Sequence, residues 1–228
     1  MSKKVAIVQS NYLPWKGYFD LINSVNEFIL YDDMQYTKRD WRNRNKIKTP
    51  KGLMWLTIPV QVKGKYYQKI KETVITDRKW NQNHWQSITH NYFKAKYFHE
   101  YKEIFEELYL SCQESRLSQI NYHFITRICK ILGISTKISW SMDYKLIEGK
   151  TERLVDLCKQ AGGTEYISGP AANTYIDEEL FRREGIKLRY MDYSKYLEYH
   201  PLFPPFEHGV SIIDLIFNEG ENATKFIQ

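Results

Sequence analysis

Short apolar runs open the chain in an order that predicts one strand-helix-strand unit. Residues 5–9 form a β-branched run without regular alternation, which is typical of a strand buried on both faces of a parallel sheet. Asparagine, proline and glycine mark residues 10–17 as a loop, and apolar residues then recur at helical spacing over 18–22. A second apolar run at 27–31 is followed by two aspartates. The pattern predicts a βαβ opening.

The rest of the chain alternates between helical and strand-like patterns. Amphipathic helical spacing covers about 83–134 and predicts a helical insertion or subdomain. Further strands are predicted at 135–142, 165–169 and 187–193, and further helices at 150–161, 179–186 and 211–220. Because strands and helices alternate at both ends, we expect a single α/β domain over residues 1–228 with a Rossmann-like parallel sheet.

Residues 34–52 interrupt this alternation. They are polar, basic and aromatic, and they close with Pro50, Lys51 and Gly52, a typical turn sequence. After this turn, a strand is predicted at 54–60 and a hairpin-like pair within 61–75.

Composition narrows the class of protein. Hydrophobic residues make up 43% of the chain, which is enough for a substantial core, and no apolar run has the ~18 residues of a membrane span. The three cysteines are far apart, so we expect neither a disulfide framework nor a cysteine-rich zinc site. We therefore expect a soluble cytoplasmic protein. The net charge of +6 favours an anionic partner, although surplus surface lysine would give the same balance.

The loop after the first strand is the first candidate for chemistry. A strand that delivers its loop to a helix start directs free backbone N–H groups and the helix dipole at an anion. Pro14 and Gly17 would shape such a loop, and Trp15 and Tyr18 would stack on a base or sugar. The alternative is a loop that only packs on the sheet.

The basic segment that follows the second strand is the second candidate. Asp33, beside Asp32, follows a strand end and is a candidate base, metal ligand or hydroxyl acceptor. Arginines suit a bidentate grip on phosphate, and asparagine amides suit sugar hydroxyls or base edges. The predicted binding residues of this segment are Gln35, Tyr36, Lys38, Arg39, Trp41, Asn43 and Arg44. The alternative is an ordinary solvated face.

Two further groups are weaker candidates. His84 and His90 are candidate general bases, because histidine titrates near neutral pH. Ser168 and Gly169 end a predicted strand, where a hydroxyl and backbone N–H groups can meet a ligand. A structural histidine and a tight turn are the corresponding alternatives.

Four segments together resemble the WbqC-like family: VAIVQSNYLPWKGYFDLI, FILYDDMQYTKRDWRNRNKIKTPKGLMWLTIPV, EYISGPAANTYI and SIIDLIFNEG. Members of that family are typically encoded among bacterial polysaccharide biosynthesis genes, notably those for O-antigens with N-acylated amino sugars. The resemblance carries over to Gln9, Tyr12, Pro14, Trp15, Gly17, Asp33, Gln35, Tyr36, Lys38, Arg39, Trp41, Asn43, Arg44, Ser168 and Gly169. It implies a role in making or modifying a nucleotide-linked sugar.

The resulting hypothesis is an enzyme that transfers an acyl or aminoacyl group onto the amino group of a nucleotide-linked amino sugar. Its partners would be that sugar and an activated acyl donor. One alternative is an activating enzyme that uses ATP and Mg²⁺, because residues 14–18 resemble the P-[TH]-x-G-H loop of nucleotidylyltransferases, with Trp15 and Tyr18 in place of the histidines. An RNA-binding module is the least favoured reading, because no RNP-like or KH-like motif is present.

Overall fold

A computed structural model of the chain describes residues 2–227, and it confirms the mixed α/β class. The strands are β1 (Lys4–Val8), β2 (Glu27–Leu30), β3 (Arg44–Thr49), β4 (Gly52–Thr57), β5 (Lys137–Trp140), β6 (Glu165–Ser168) and β7 (Lys187–Tyr190). Five of them form a parallel sheet in the order β5-β2-β1-β6-β7. This is the Rossmann-like arrangement that the sequence predicted.

Helices cover both faces of this sheet. They are α1 (Lys16–Asn23), α2 (Trp80–Tyr92), α3 (Phe98–Leu110), α4 (Leu117–Ile131), α5 (Thr151–Gln160), α6 (Glu178–Arg183) and α7 (Ile212–Glu219). One core cluster joins α1, α2, α3, α4 and α7, and the other joins α5 and α6. Among residues 2–227, no helix is long and apolar enough to cross a membrane.

The central strands explain why both faces are covered. Val5 and Ile7 of β1 belong to the core beneath α5 and α6, whereas Ala6 between them belongs to the core beneath α1. Side chains alternate across a strand, so a strand that is apolar at consecutive positions must bury both of its faces. The apolar run at the start of the chain is therefore the centre of the sheet.

The basic segment holds a strand that the sequence pattern did not predict. β3 pairs antiparallel with β4, and the register places Lys46 opposite Trp55. Asn45 and Ile47 are buried, whereas Arg44 and Lys46 are partly exposed, so the strand alternates between cationic and inward-facing side chains. β4 ends at Thr57 rather than at the predicted residue 60.

The prediction of a hairpin-like pair within 61–75 was wrong. The described residues there form no pair of strands. They contain a short 3₁₀ turn at Ile70–Glu72, and isolated antiparallel bridges connect Lys69, Val74 and Ile75 to Gln35, Arg116 and Val60, respectively. Lys63, Gly64 and Lys65 are exposed, and this stretch has little apolar alternation that would fix a strand register.

Candidate functional site

The order of the strands creates a cleft at one edge of the sheet. The chain proceeds outward from β1 through β2 to β5, and then returns to β6 on the other side of β1. In doubly wound sheets, ligands bind beyond the carboxyl ends of the strands where this reversal occurs. Here that point holds a cleft of about 920 Å³, lined by Val8 at the end of β1 and Ser168 at the end of β6. We call it the switch-point cleft.

The loop that follows β1 is held in place by a buried carboxylate. Asp32 accepts hydrogen bonds from the backbone N–H and the hydroxyl of Ser10, both at 2.8 Å, and from the Ser118 hydroxyl. Asp32 is fully buried, and burial raises the pKa of its carboxyl group. The loop residue before Ser10 is Gln9, which lines the cleft. Asp32 therefore positions the floor of the cleft and does not itself line it.

One wall of the cleft is cationic. It contains Lys150, Thr151 and Arg153 at the start of α5, and no side chain of residues 2–227 caps the N-terminus of this helix. Arg153 donates from Nε to the carbonyl of Ile147 at 2.6 Å. Its other guanidinium nitrogens lie 3.4 Å from the Tyr31 hydroxyl and 3.4 Å from a Glu148 oxygen. Free N–H groups, a helix dipole and two cationic side chains together suit a phosphate or pyrophosphate group.

The opposite side of the cleft is a loop with room for a ligand. Gly169 and Pro170 follow β6 and lead into a 3₁₀ turn. Gly169 has a φ of −69°, and a Cβ placed there would approach only the Tyr193 hydroxyl, at 4.0 Å. Neither backbone conformation nor packing therefore requires glycine here. The missing side chain instead leaves space beside the cleft, and close approach of a ligand to a backbone is a common reason for glycine.

Aromatic side chains complete the lining. Tyr31, Tyr175 and Tyr193 join apolar residues along the cleft. Tyr193 packs edge to face on Trp15, with ring centroids 4.9 Å apart. The site thus combines one cationic wall with rings that have apolar faces and polar edges, a combination that suits an anionic ligand with flat or apolar parts.

A second, smaller depression lies on the basic segment. It has a volume of about 260 Å³, and its lining includes Tyr36, Lys38, Arg39, Asn43 and Arg44, which define what we call the basic pocket. It shares no lining residue with the switch-point cleft. All five of these residues were predicted as binding residues from the sequence.

Comparisons with known proteins place the chain in a family. The family model described as the WbqC-like protein family matches residues 9–226. The chain belongs to the WbqC-like protein family. It is also 53% identical, over 226 residues, to the uncharacterized protein Rv1507c of Mycobacterium tuberculosis (strain ATCC 25618 / H37Rv). That match covers 99% of this chain and 98% of the relative. No solved structure matches.

Of the predicted binding residues, Gln9, Ser168 and Gly169 line the switch-point cleft of this WbqC-like protein. Trp15 and Trp41 instead line a separate depression of about 260 Å³ beside the loop after β1. Trp41 also packs on Trp55, with ring centroids 5.3 Å apart. The predicted residues are therefore distributed over several surfaces.

Gly17 and Tyr18 are packed against neighbouring residues and do not line the cleft. A Cβ on Gly17 would lie 2.3 Å from the indole of Trp15, so the glycine is required for that ring to pack on α1. Tyr18 is buried and donates its hydroxyl to the carbonyl of Gln9 at 3.1 Å. Both residues shape the loop after β1, and Tyr18 acts on the cleft through Gln9.

Tyr12 and His84 form a buried pair. The Tyr12 hydroxyl lies 2.9 Å from His84 Nδ1 and 2.8 Å from the Tyr109 hydroxyl. His84 Nε2 donates to the carbonyl of Thr57 at 3.1 Å, which leaves Nδ1 as the acceptor from Tyr12. Burial lowers the pKa of His84 to about 4, so the ring is neutral at pH 7. Both ring nitrogens are engaged within the protein.

Asp33, Gln35 and His90 lie outside the cleft. Asp33 is buried, pairs with Lys71 at 2.5 Å and accepts a hydrogen bond from Ser141 at 2.9 Å. The Gln35 amide donates to the carbonyl of Tyr66 at 2.7 Å. His90 is exposed and lines a groove on α2 and α3.

Several lining residues of the cleft were not predicted as site residues. Tyr31, Glu148 and Tyr193 are among them. Tyr31 follows β2 directly, and Tyr193 follows β7 closely. Their positions after carboxyl ends of strands are the signal that would have identified them, once the strands were known to be parallel.

Proposed function

We propose that this WbqC-like protein is an enzyme of bacterial cell-surface polysaccharide biosynthesis that binds a nucleotide-linked amino sugar in the switch-point cleft. It transfers an acyl or aminoacyl group onto the amino group of that sugar. The observation that carries the proposal is the placement of Lys150, Arg153 and the start of α5 on one wall of a large aromatic-lined cleft at the reversal of the strand order.

In this proposal each side of the cleft binds a different part of the ligand. Lys150, Arg153 and the first N–H groups of α5 bind the pyrophosphate that links nucleoside and sugar. Tyr31 and Tyr193 pack against the flat or apolar parts of the ligand. Gln9 and Ser168 offer an amide and a hydroxyl to the sugar hydroxyls, because both lie at strand ends in the floor of the cleft.

The reaction is an acyl transfer from a thioester or an acyl phosphate. The amine nitrogen of the sugar attacks the carbonyl carbon of the donor, a C–N bond forms, and the bond to the leaving thiolate or phosphate breaks. Among the described residues that line the cleft, Glu148 is the one carboxylate, so it is the group placed to accept the proton released by the amine. Backbone N–H groups of the loop at Gly169 stabilise the oxyanion that develops on the carbonyl oxygen.

The test is binding followed by turnover. A nucleotide-linked amino sugar should raise the melting temperature of the protein, because a ligand that binds only the folded state stabilises it. Arg153→Ala should weaken its affinity at least ~10-fold, since a lost charge-assisted hydrogen bond costs roughly 1.5–3 kcal/mol. Arg127→Ala is the matched control, because Arg127 lies on α4 and pairs with Glu107.

Turnover then tests the reaction itself. With a panel of acyl and aminoacyl thioesters and acyl phosphates, mass spectrometry should detect an amide of the bound sugar, and Glu148→Gln should slow its formation. Binding of the sugar without an amide from any donor would refute the transfer. Release of pyrophosphate from ATP, with no amide formed, would indicate the nucleotidyl-transfer alternative instead.

A further inference from the structure

The basic segment concentrates positive charge far beyond the average of the chain. Residues 34–71, which comprise the basic segment, β4 and the residues that follow β4, contain 11 lysines and arginines and one acidic residue, Asp40. This stretch therefore has a net charge of +10, whereas the whole chain has +6, so the remainder is net −4. Such segregation on one part of a fold favours an anionic ligand there.

In the part of the chain that the structure describes, no carboxylate lies within ion-pair distance of the cations of the basic pocket. The ion pairs among residues 2–227 include none of Lys38, Arg39 and Arg44. Asp40 accepts hydrogen bonds from the Thr37 hydroxyl and the Trp41 N–H, and it lies 3.6 Å from Arg42. The acidic residue of this stretch is thus already engaged by Thr37, Trp41 and Arg42.

Two buried polar atoms of the pocket also lack partners. Among the residues that the structure describes, neither Asn43 Oδ1 nor Arg44 Nε has a hydrogen-bond partner. Asn43 is 5% exposed, and its amide nitrogen donates to the carbonyl of Ile58 at 2.8 Å, which fixes the side chain. A buried polar atom without a partner costs about 1–3 kcal/mol, so its presence calls for an explanation.

The pocket is also held in a strained, oriented form. Arg39 has a φ of 60°, in the left-handed region. A residue with a Cβ atom adopts this conformation at a cost of about 1–2 kcal/mol. Arg44 lies over the indole of Trp55, 4.0 Å from the ring centroid, and also donates to the carbonyl of Arg39. Stacking fixes the plane of the guanidinium, as bidentate recognition of an oxyanion requires.

We infer that the basic pocket binds the phosphate group of a hydroxylated ligand, such as a sugar phosphate, at a site separate from the switch-point cleft. Lys38, Arg39 and Arg44 bind the phosphate oxygens, and Arg44 Nε gains an acceptor. Asn43 Oδ1 can only accept hydrogen bonds, so it accepts one from a hydroxyl or amine group beside the phosphate. The inference goes beyond the proposed function, because it concerns a second ligand and stands if the transfer reaction fails.

Calorimetric titration of the full-length chain tests the site, with ribose 5-phosphate and inorganic pyrophosphate as probes. Arg44→Ala should weaken the affinity for both probes at least ~10-fold. Asn43→Ala should weaken the affinity for ribose 5-phosphate more than that for pyrophosphate, because only ribose 5-phosphate carries sugar hydroxyls that can donate to Asn43 Oδ1. Lys51→Ala is the matched control, since it removes one charge from the same segment at the turn between β3 and β4 and should change either affinity less than ~2-fold.

Arg39→Gly keeps the test decisive if another variant folds poorly. Glycine adopts a φ of 60° without strain, so this variant should melt at a higher temperature than wild type while binding both probes more weakly. Equal losses in Arg44→Ala and Lys51→Ala would overturn the inference in favour of diffuse charge attraction. The inference would also be overturned if Arg153→Ala abolished binding of the probes and Arg44→Ala did not.

Discussion

The hydrogen bonds of single residues separate groups that face a ligand from groups that hold the fold. His84, Tyr12 and Tyr109 are connected by two hydrogen bonds of 2.9 and 2.8 Å in the core. A neutral histidine that uses one nitrogen as donor and the other as acceptor has no remaining site for a substrate proton. The position of a histidine in the sequence does not show whether its nitrogens are free, because burial and hydrogen-bond partners decide its role.

This assignment predicts how stability depends on pH. The pKa of His84 is about 4 in the folded protein, below the 6.5 of an exposed histidine. Between these values the unfolded chain binds more protons, so the free energy of unfolding falls as the pH drops from 6.5 towards 4. At pH 5 the loss due to His84 should be roughly 2 kcal/mol.

Urea unfolding of wild type and His84→Gln at pH 7 and pH 5 measures this effect. The variant should be less stable at pH 7, because buried hydrogen bonds are lost, and the difference should narrow at pH 5. Other titrating groups affect both proteins alike and cancel in the comparison. A His84→Gln protein of normal stability that no longer forms amide product would instead place His84 in the reaction.

Glycine shows the same limit of sequence reasoning. Gly17 and Gly169 both follow strands and both suit a ligand loop. Packing separates them, because the indole of Trp15 covers Gly17, whereas open space adjoins Gly169. The sequence indicates both positions as candidates for a ligand loop, but only the folded structure shows which one faces the cleft.

At the scale of elements, α1 ties the C-terminal segment to the cleft. Lys16, at the start of the helix, donates to the carbonyl of Leu197 at 2.7 Å and lies 4.8 Å from the ring centroid of Tyr196. One turn later, Asp20 accepts a hydrogen bond from the Tyr196 hydroxyl. This segment also carries Tyr193, which lines the cleft. A buried lysine thereby helps to position the aromatic wall.

Burial of Lys16 has a measurable consequence. Desolvation lowers the pKa of its amine from 10.5 to about 8. Between these values the unfolded chain binds more protons, so the free energy of unfolding should rise with pH across this window. From pH 8 to pH 10, wild type should gain roughly 2 kcal/mol relative to Lys16→Met, which lacks the titrating group. Parallel pH profiles of the two proteins in guanidinium unfolding would contradict this role.

Elements with a regular apolar period were predictable, and β3 was not. The strands of the sheet and the helices between them follow from runs of apolar residues, with boundary errors of a few residues. The sequence of β3, RNKIKT, has one apolar residue, and its strand form depends on pairing with β4. Because the partner supplies the ladder and the packing, the segment resembles a loop when it is considered alone.

The order of strands is a property of the whole molecule. The sequence indicated parallel strands, but nothing local states that β6 returns to the far side of β1. That return places the switch-point cleft, and it joins the loop after β1 to residues more than 140 positions later, as at Gln9 and Arg153. The location of the cleft therefore required the folded chain, whereas the composition of the basic pocket was accessible from residues 36–44.

Two sites without a common lining residue should contribute independently. Arg153→Ala should weaken the affinity for the nucleotide-linked sugar and leave the affinity for ribose 5-phosphate unchanged. Arg44→Ala should have the opposite effects. In the double variant, the changes in binding free energy should add to within about 0.5 kcal/mol for each ligand. Calorimetry on the four proteins of this cycle measures the sum directly. A coupling above about 1 kcal/mol would mean that one ligand spans both regions, because a shared ligand makes the loss of one anchor depend on the other. Independent losses would instead require two ligands, as a transfer between a sugar acceptor and a phosphorylated second substrate demands.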